Sequence, residues 1–132
     1  MDWSRQKAPS LDDLEALARE CFAELPAEFR ALVEGVGFLV QDFPDAETMK
    51  RLELESEFEL LGLFHGSDLA ARSANLGSAE PTMILLYRGP ILDYWADGDE
   101  TLGDIVRHVL VHEIGHHLGL SDDDMGAIES GD

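Results

Sequence analysis

The sequence has 132 residues, of which 45% are hydrophobic and 28% charged, a composition typical of one globular domain with its own core. Nine basic residues stand against 28 acidic ones, so the formal net charge is −19. Such a surface repels nucleic acid and anionic membranes, and it either serves solubility alone or favours cationic substrates and partners.

Neither a secretory signal nor a membrane span is recognisable in the sequence. Residues 1–9 are predicted to be a flexible terminus, and no apolar run follows them. No apolar stretch approaches the roughly 20 residues that a membrane-spanning helix needs. Cys21 is the single cysteine, which excludes an internal disulfide, and its place in a helical apolar pattern predicts a core residue. We therefore expect one cytoplasmic domain over residues 1–132.

Helical spacing dominates the first part of the chain. Ser10 and Asp13 match the S/T-x-x-D/E pattern with which helices begin. Apolar residues then recur at helical spacing, namely Leu11, Leu14, Leu17, Ala18, Cys21, Phe22 and Leu25. Pro26 can open a second short helix, which Gly35 would end.

Short apolar runs bounded by turn residues predict three strands in the middle of the chain. The three runs are residues 36–43, 60–64 and 83–87. Between them, residues 45–57 are predicted to form a short helix or a loop, and residues 66–81 a long surface loop. Residues 91–96 give no clear pattern.

The last third of the chain predicts two helices. A strong helix runs from about Thr101 to Leu118 and is stopped by Gly119. Ser121 can cap a last short helix, and the three aspartates at 122–124 suit the positive end of that helix.

The residues that carry chemistry lie at the end of the strong helix, where residues 112–116 read H-E-x-x-H. Residues four apart lie on one helical face, so His112 and His116 can direct two imidazoles at one metal ion. Glu113 lies beside them and can hold a water molecule at the open position of the ion. These three share a side of the helix with apolar residues, which predicts that they face the interior. The apolar residues are Leu102, Ile105, Val106 and Val109. A metal with its water would satisfy polar groups that are costly to bury unpaired.

The glycine after this helix suggests a third ligand. Gly119 can adopt the left-handed conformation and turn the chain sharply, which would bring Asp122 back toward the two histidines. Two imidazoles and one carboxylate leave a coordination position for water, as in catalytic zinc sites, whereas structural sites use four protein ligands. Asp123 and Asp124 are adjacent carboxylates, and the offset from the motif favours Asp122.

The full pattern H-E-x-x-H-x-x-G-x-x-D resembles the extended zinc signature of metzincin-type zincins, whose last ligand is usually histidine. More specifically, the sequence is similar to a small bacterial family of zincin-like metallopeptidases, which carries H-E-x-x-H-H-x-G-x-S-D near its C-terminus. Residues 60–66 and 85–90 also resemble upstream segments of that family. The resemblance covers roughly residues 36–130.

This resemblance implies an α+β, minimal zincin-like fold. Its parts would be a small mixed β-sheet, a backing helix, a central active-site helix and a short C-terminal helix. It also implies a Zn²⁺ ion with His112, His116 and Asp122 as ligands and Glu113 as the general base.

The function that we predict is a zinc metallopeptidase acting on a peptide or protein substrate, with Glu113 taking the proton from the attacking water. A catalytically silent zincin-like module that binds a peptide or protein is the alternative, because so short a chain leaves little room for a substrate cleft. A purely structural metal is disfavoured by the intact Glu113 and the count of three ligands. No nucleic acid or membrane partner is expected.

Several further residues are candidates for lesser roles. His108 could support the ligands, although a place at the solvent edge is favoured. His117 is expected to bond a backbone carbonyl or a carboxylate, and His65 could line a cleft. Met125 suits a core position more than a place under the metal. The candidates for stabilising an oxyanion, each also suited to a structural role, are Tyr87, Arg88 and Tyr94.

Overall fold

The computed structural model describes residues 3–65 and 82–130. A 3₁₀ turn, Trp3–Arg5, comes first. The helices and strands of the described ranges are α1 (Leu11–Ala23), α2 (Ala27–Ala31), β1 (Gly37–Gln41), α3 (Ala46–Arg51), β2 (Gly62–His65), β3 (Met83–Tyr87), α4 (Arg88–Ala96), α5 (Leu102–Leu118) and α6 (Asp122–Ser130). The predicted α+β class is therefore confirmed. The predicted surface loop over residues 66–81 lies outside the described residues.

The three strands form a small mixed sheet in the order β1-β3-β2. β1 runs parallel to β3, with Gly37 opposite Met83, and β2 runs antiparallel to β3, with Gly62 opposite Leu86. Alternate residues of β1 and β3 are buried, as expected of a sheet covered on one face. The alternating buried members are Phe38, Val40, Ile84 and Leu86, and Tyr87 at the end of β3 is buried as well. The small mixed sheet expected of a minimal zincin-like fold is thus present.

Helix α1 packs on both the sheet and α5, and its first turn forms as the sequence predicts. The Ser10 Oγ accepts a hydrogen bond from the Asp13 backbone N–H at 3.0 Å, and Asp13 accepts one from the Ser10 N–H at 2.9 Å. Cys21 is buried on the inner face of α1, with its Sγ 3.7 Å from the Gly103 carbonyl oxygen. Burial raises the pKa of this thiol, which fits the predicted core role.

Helix α5 is the central element and has the predicted bounds. The Thr101 hydroxyl accepts a hydrogen bond from the Asp104 N–H at 3.1 Å and caps the first turn. Gly119 ends the helix in the left-handed conformation at φ 75°. The Leu120 N–H then donates to the Gly115 carbonyl at 2.9 Å, which reverses the chain.

Helix α6 returns along α5 after this reversal. Its first turn is capped by Ser121, whose Oγ accepts from the Asp124 N–H at 3.1 Å. Met125 is buried against Gly115, and an Arg107 Nη donates to the Ile128 carbonyl at 3.4 Å. The C-terminal end of α6 therefore lies beside the middle of α5, which brings residues 17 or more positions apart into contact.

Some predicted boundaries differ from the structure. The second helix ends at Ala31 rather than Gly35, although Gly35 does turn the chain at φ 83°. Residues 45–57 contain α3, and residues 91–96, for which the sequence gives no clear pattern, are the last six residues of α4. No helix among the described residues is both long and apolar enough to cross a membrane.

The reversal at Gly119 provides a test of the fold. A Cβ at Gly119 would meet no atom within 4 Å, so Gly119→Ala acts through backbone conformation alone. We expect it to lower the free energy of unfolding by about 1 kcal/mol, because a left-handed residue with a side chain is strained. Gly126→Ala is the matched control: it lies within α6 with equally open surroundings, and alanine there should stabilise by roughly 0.5–1 kcal/mol. Urea denaturation of both variants measures the difference.

Candidate metal centre

The two histidines of the H-E-x-x-H motif lie on one side of α5, one turn apart. Their imidazole rings are 5.8 Å apart between centroids and nearly perpendicular, at 81°. This arrangement follows from the helical repeat, which places residues i and i+4 above one another. Two imidazole nitrogens on one helical face are ligands that a zinc ion accepts.

The prediction that all three polar residues of the motif face the interior is wrong for His116. His112 and Glu113 are half-buried, but His116 is exposed. The sheet covers α5 near Val109, against which Gly62 of β2 lies directly. His116, at the end of the motif, is exposed, so an ion bound there would be open to solvent and substrate.

The surroundings of Glu113 change the pKa of its carboxyl group. Burial raises its pKa above the ordinary value of 4.5, and the neighbouring His116 lowers it by a smaller amount. A carboxylate that is short of solvent is a good proton acceptor, because ionisation costs it more than it costs an exposed carboxylate. Such a group is typical of the general base in a hydrolytic site.

The raised pKa of Glu113 also predicts how the metal-free protein responds to pH. The folded chain holds the Glu113 proton to a higher pH than the unfolded chain does, so stability is lost as pH rises from 4.5 through the raised pKa. Glu113→Gln should therefore raise the free energy of unfolding of the metal-free protein at neutral pH and change that free energy little below pH 4.5. Urea denaturation at both pH values measures this, and an equal effect at both would contradict it.

Asp122, the predicted third ligand, is the first residue of α6 and is exposed. The chain reversal that should return it toward the histidines is present at Gly119. Asp124 is occupied in the cap of α6, where it accepts from the Ser121 N–H at 3.3 Å, so it competes less for a metal. The ligand set of His112, His116 and Asp122 stays a prediction.

Glu129, near the end of α6, is a functional candidate that the sequence interpretation missed. Its carboxylate accepts hydrogen bonds from two imidazoles, from His108 Nδ1 at 2.7 Å and from His112 Nε2 at 3.0 Å. Among the described residues, this is the set of three metal-ligand atoms that lie within 4.8 Å of one another. One signal could have indicated it, because Glu129 is one helical turn after the buried Met125 and so shares the face that returns to α5.

A cavity of about 290 Å³ opens directly beside the motif. Both His112 and Glu113 line it, together with His108 from the turn before. Leu60 and Tyr94 also line it, so the polar groups share the cavity with apolar surface. A pocket that combines apolar walls with a few convergent polar groups is the usual form of a small binding site.

The remaining predicted candidates have varied surroundings. His117 stacks on Phe64, with 4.0 Å between ring centroids, and the expected bond to a carbonyl or carboxylate is not found among the described residues. Met125 is 1% exposed and belongs to the core, as the sequence favours. His65 is exposed at the end of β2, on the rim of a different cavity.

Of the three candidates for stabilising an oxyanion, Tyr94 alone lines the cavity beside the motif. Its hydroxyl donates to the Glu100 carboxylate at 3.3 Å. Tyr87 is 1% exposed, and burial raises its pKa. Arg88 is committed elsewhere, since its Nε donates to the Pro9 carbonyl at 2.6 Å and it pairs with Asp42. Tyr94 is therefore the candidate that geometry favours.

Comparison with known proteins assigns this chain to a family. The family model described as zincin-like metallopeptidase matches residues 33–132, so the chain belongs to that family. A solved structure of a conserved hypothetical protein from Thermo thermophilus shares the fold, with a TM-score of 0.54 and 22% identity over 83% of this chain and 94% of that chain. The comparison with curated proteins gave no match.

The family implies a metal, typically zinc, and the donor chemistry of this chain fits one. Imidazole nitrogens and carboxylate oxygens are ordinary zinc ligands, and the described residues place both types within a few ångströms of His112. The pKa of Glu113, raised by burial, is compatible with a base beside a metal.

Proposed function

We propose that the protein is a zinc-dependent peptidase in which His112, His116 and Asp122 hold the ion and Glu113 is the general base. The observation that carries the proposal is the position of Glu113: it is half-buried beside two imidazoles of one helical face, has a raised pKa, and lines an apolar cavity. Membership of the zincin-like metallopeptidase family supports the same class of reaction.

Zinc held by these residues would acidify a water molecule and polarise the carbonyl of the scissile amide. The carboxylate of Glu113 accepts the proton from the water that attacks this carbonyl. It then returns the proton to the nitrogen of the leaving amine, so that one peptide bond and one water are consumed and a carboxylic acid and an amine are formed. Tyr94 also lines the cavity and would donate a hydrogen bond to the carbonyl oxygen in place of its bond to Glu100.

The substrate that we propose is a peptide or protein segment with cationic character. The cavity beside Glu113 combines apolar walls with the Glu100 carboxylate, and the whole chain carries a net charge of −19. Both features favour positively charged peptides and disfavour nucleic acid and anionic membranes. The cytoplasmic location predicted from the sequence stays a prediction.

A cleavage screen with and without a chelator tests this function. We expect the zinc-loaded protein to cleave members of a mixed peptide pool, cleavage to stop when the chelator removes the metal, and zinc to restore it. Lysine- and arginine-containing peptides should be cleaved faster than their acidic counterparts. Stoichiometric zinc binding without chelator-sensitive cleavage of any peptide would instead indicate the alternative, a catalytically silent module that binds a peptide or protein.

A further inference from the structure

A second cluster of metal-ligand side chains lies one helical turn before the H-E-x-x-H pair. Here α5 presents His108 and His112 in a stack, with ring centroids 3.9 Å apart and planes at 29°. The carboxylate of Glu129 bridges the two rings, with one oxygen on each. We infer that His108, His112 and Glu129 form a second divalent-metal site, which alternates with the site of the proposed function because both use His112.

The donor set is appropriate for a borderline divalent ion such as zinc or cobalt. Two imidazole nitrogens and a carboxylate are three of the ligands that zinc accepts, and they leave a fourth position for water. His108 has 55% of its side chain exposed, whereas His112 and Glu129 have 26% and 25%. The ligands are thus held by packing on one side and open to an entering ion on the other.

All three donor atoms lie within 4.8 Å of one another, and the two separations that involve Glu129 must change to admit an ion. Donors held by zinc at about 2.0–2.1 Å in tetrahedral geometry lie about 3.3–3.4 Å from one another. The two nitrogen–oxygen separations are 2.7 Å and 3.0 Å, the lengths of direct hydrogen bonds. Each must widen by roughly half an ångström for an ion to enter between the donors.

The position of Glu129 is otherwise unfavourable. A carboxylate in the last turn of α6 lies at the negative end of that helix, in a chain that already carries a net charge of −19. A divalent cation between Glu129 and the two histidines offsets both effects. It would add to the hydrogen bonds that this carboxylate accepts from His108 and His112.

The shared residue makes the two sites exclusive. His112 presents its Nε2 to Glu129, and one nitrogen binds one ion at a time. An ion on His108 and Glu129 therefore withdraws His112 from His116, and an ion on His116 leaves Glu129 bonded to His108 alone. The second site does not require that the protein hydrolyse peptides, but its alternation with the first rests on the ligands assigned under the proposed function.

Cobalt titration of the metal-free protein tests the second site without any activity measurement. His116→Ala removes a ligand of the first site only and lies at the exposed end of α5, so the fold should tolerate it. We expect this variant to bind one Co²⁺ with visible absorption typical of a low-coordinate site. Adding Glu129→Gln should raise the Kd by more than about 10-fold, at least the loss that follows when an outer partner of a metal ligand is removed. Adding Asp123→Asn instead, which removes an exposed charge from the same helix, should leave the Kd unchanged.

Equal effects of Glu129→Gln and Asp123→Asn on the Kd, or complete loss of Co²⁺ binding in His116→Ala, would overturn the second site.

Asp122→Asn provides a second background that keeps every histidine. Long-range ¹H–¹⁵N spectra of the histidine rings give an independent measurement, in which zinc should shift the Nδ1 resonance of His108 in either background, and an unshifted resonance would also overturn the site. If Glu129→Gln weakens binding in the unaltered chain while His116→Ala and Asp122→Asn do not, the ligands of the proposed function are wrong and the second site stands. If His116→Ala and Asp122→Asn weaken binding in the unaltered chain while Glu129→Gln does not, the second site alone is overturned.

Discussion

Glu113→Gln is expected to abolish peptide cleavage while the protein still binds zinc. Glutamine preserves the size and most of the contacts of the side chain but cannot accept the proton of the attacking water. General base catalysis contributes about 10²–10⁴-fold to rate, so kcat should fall by at least the lower of these values. Glu113 is not one of the three ligands that we assign, so the metal content measured by atomic absorption should not change.

Glu20→Gln provides the matched control for this substitution. Glu20 is exposed on α1, away from the motif, and its replacement removes the same charge from the chain. Its cleavage rate and metal content should equal those of the unaltered protein. A Glu113→Gln protein that keeps full activity would exclude this residue as the base, and one that loses its zinc would mean that Glu113 itself is a ligand.

The helix that carries the site could be predicted from the sequence because its signals are local. Thr101 caps it, a continuous apolar pattern fills it, and Gly119 ends it in the one conformation that favours glycine. The same holds for α1, whose capping box lies within four residues. Strand β3 could also be predicted from local signals, because Met83–Tyr87 is an apolar run between turn residues.

Features that depend on packing between distant segments could not be predicted in the same way. A helical wheel gives the side on which His116 lies but not whether another segment covers it, so the exposure of His116 could not be predicted. The contact of Glu129 with His108 and His112 depends on the path of α6 after the turn at Gly119. His117 was expected to find a polar partner, but Phe64 of β2 offers its ring face, a contact between segments more than 50 positions apart.

His112→Ala is expected to abolish both zinc binding and cleavage, because His112 belongs to both ligand sets described above. Removing it leaves His116 with Asp122, or His108 with Glu129, and two ligands do not hold zinc in a catalytic site. The Kd for zinc should rise by more than about 100-fold, beyond the loss that removal of an outer partner produces. Isothermal titration with zinc measures the affinity, and circular dichroism shows whether the fold is kept.

The control for His112→Ala is His117→Ala, a change of the same kind on the same helix. His117 stacks on Phe64 with ring centroids 4.0 Å apart, so alanine there removes packing against β2 but no metal ligand. We expect a lower free energy of unfolding, with an unchanged Kd for zinc and unchanged cleavage by the folded fraction. If His112→Ala binds zinc as tightly as His117→Ala does, the ion cannot depend on this helical face, and both the proposed base and the proposed ligands would have to be sought elsewhere in the chain.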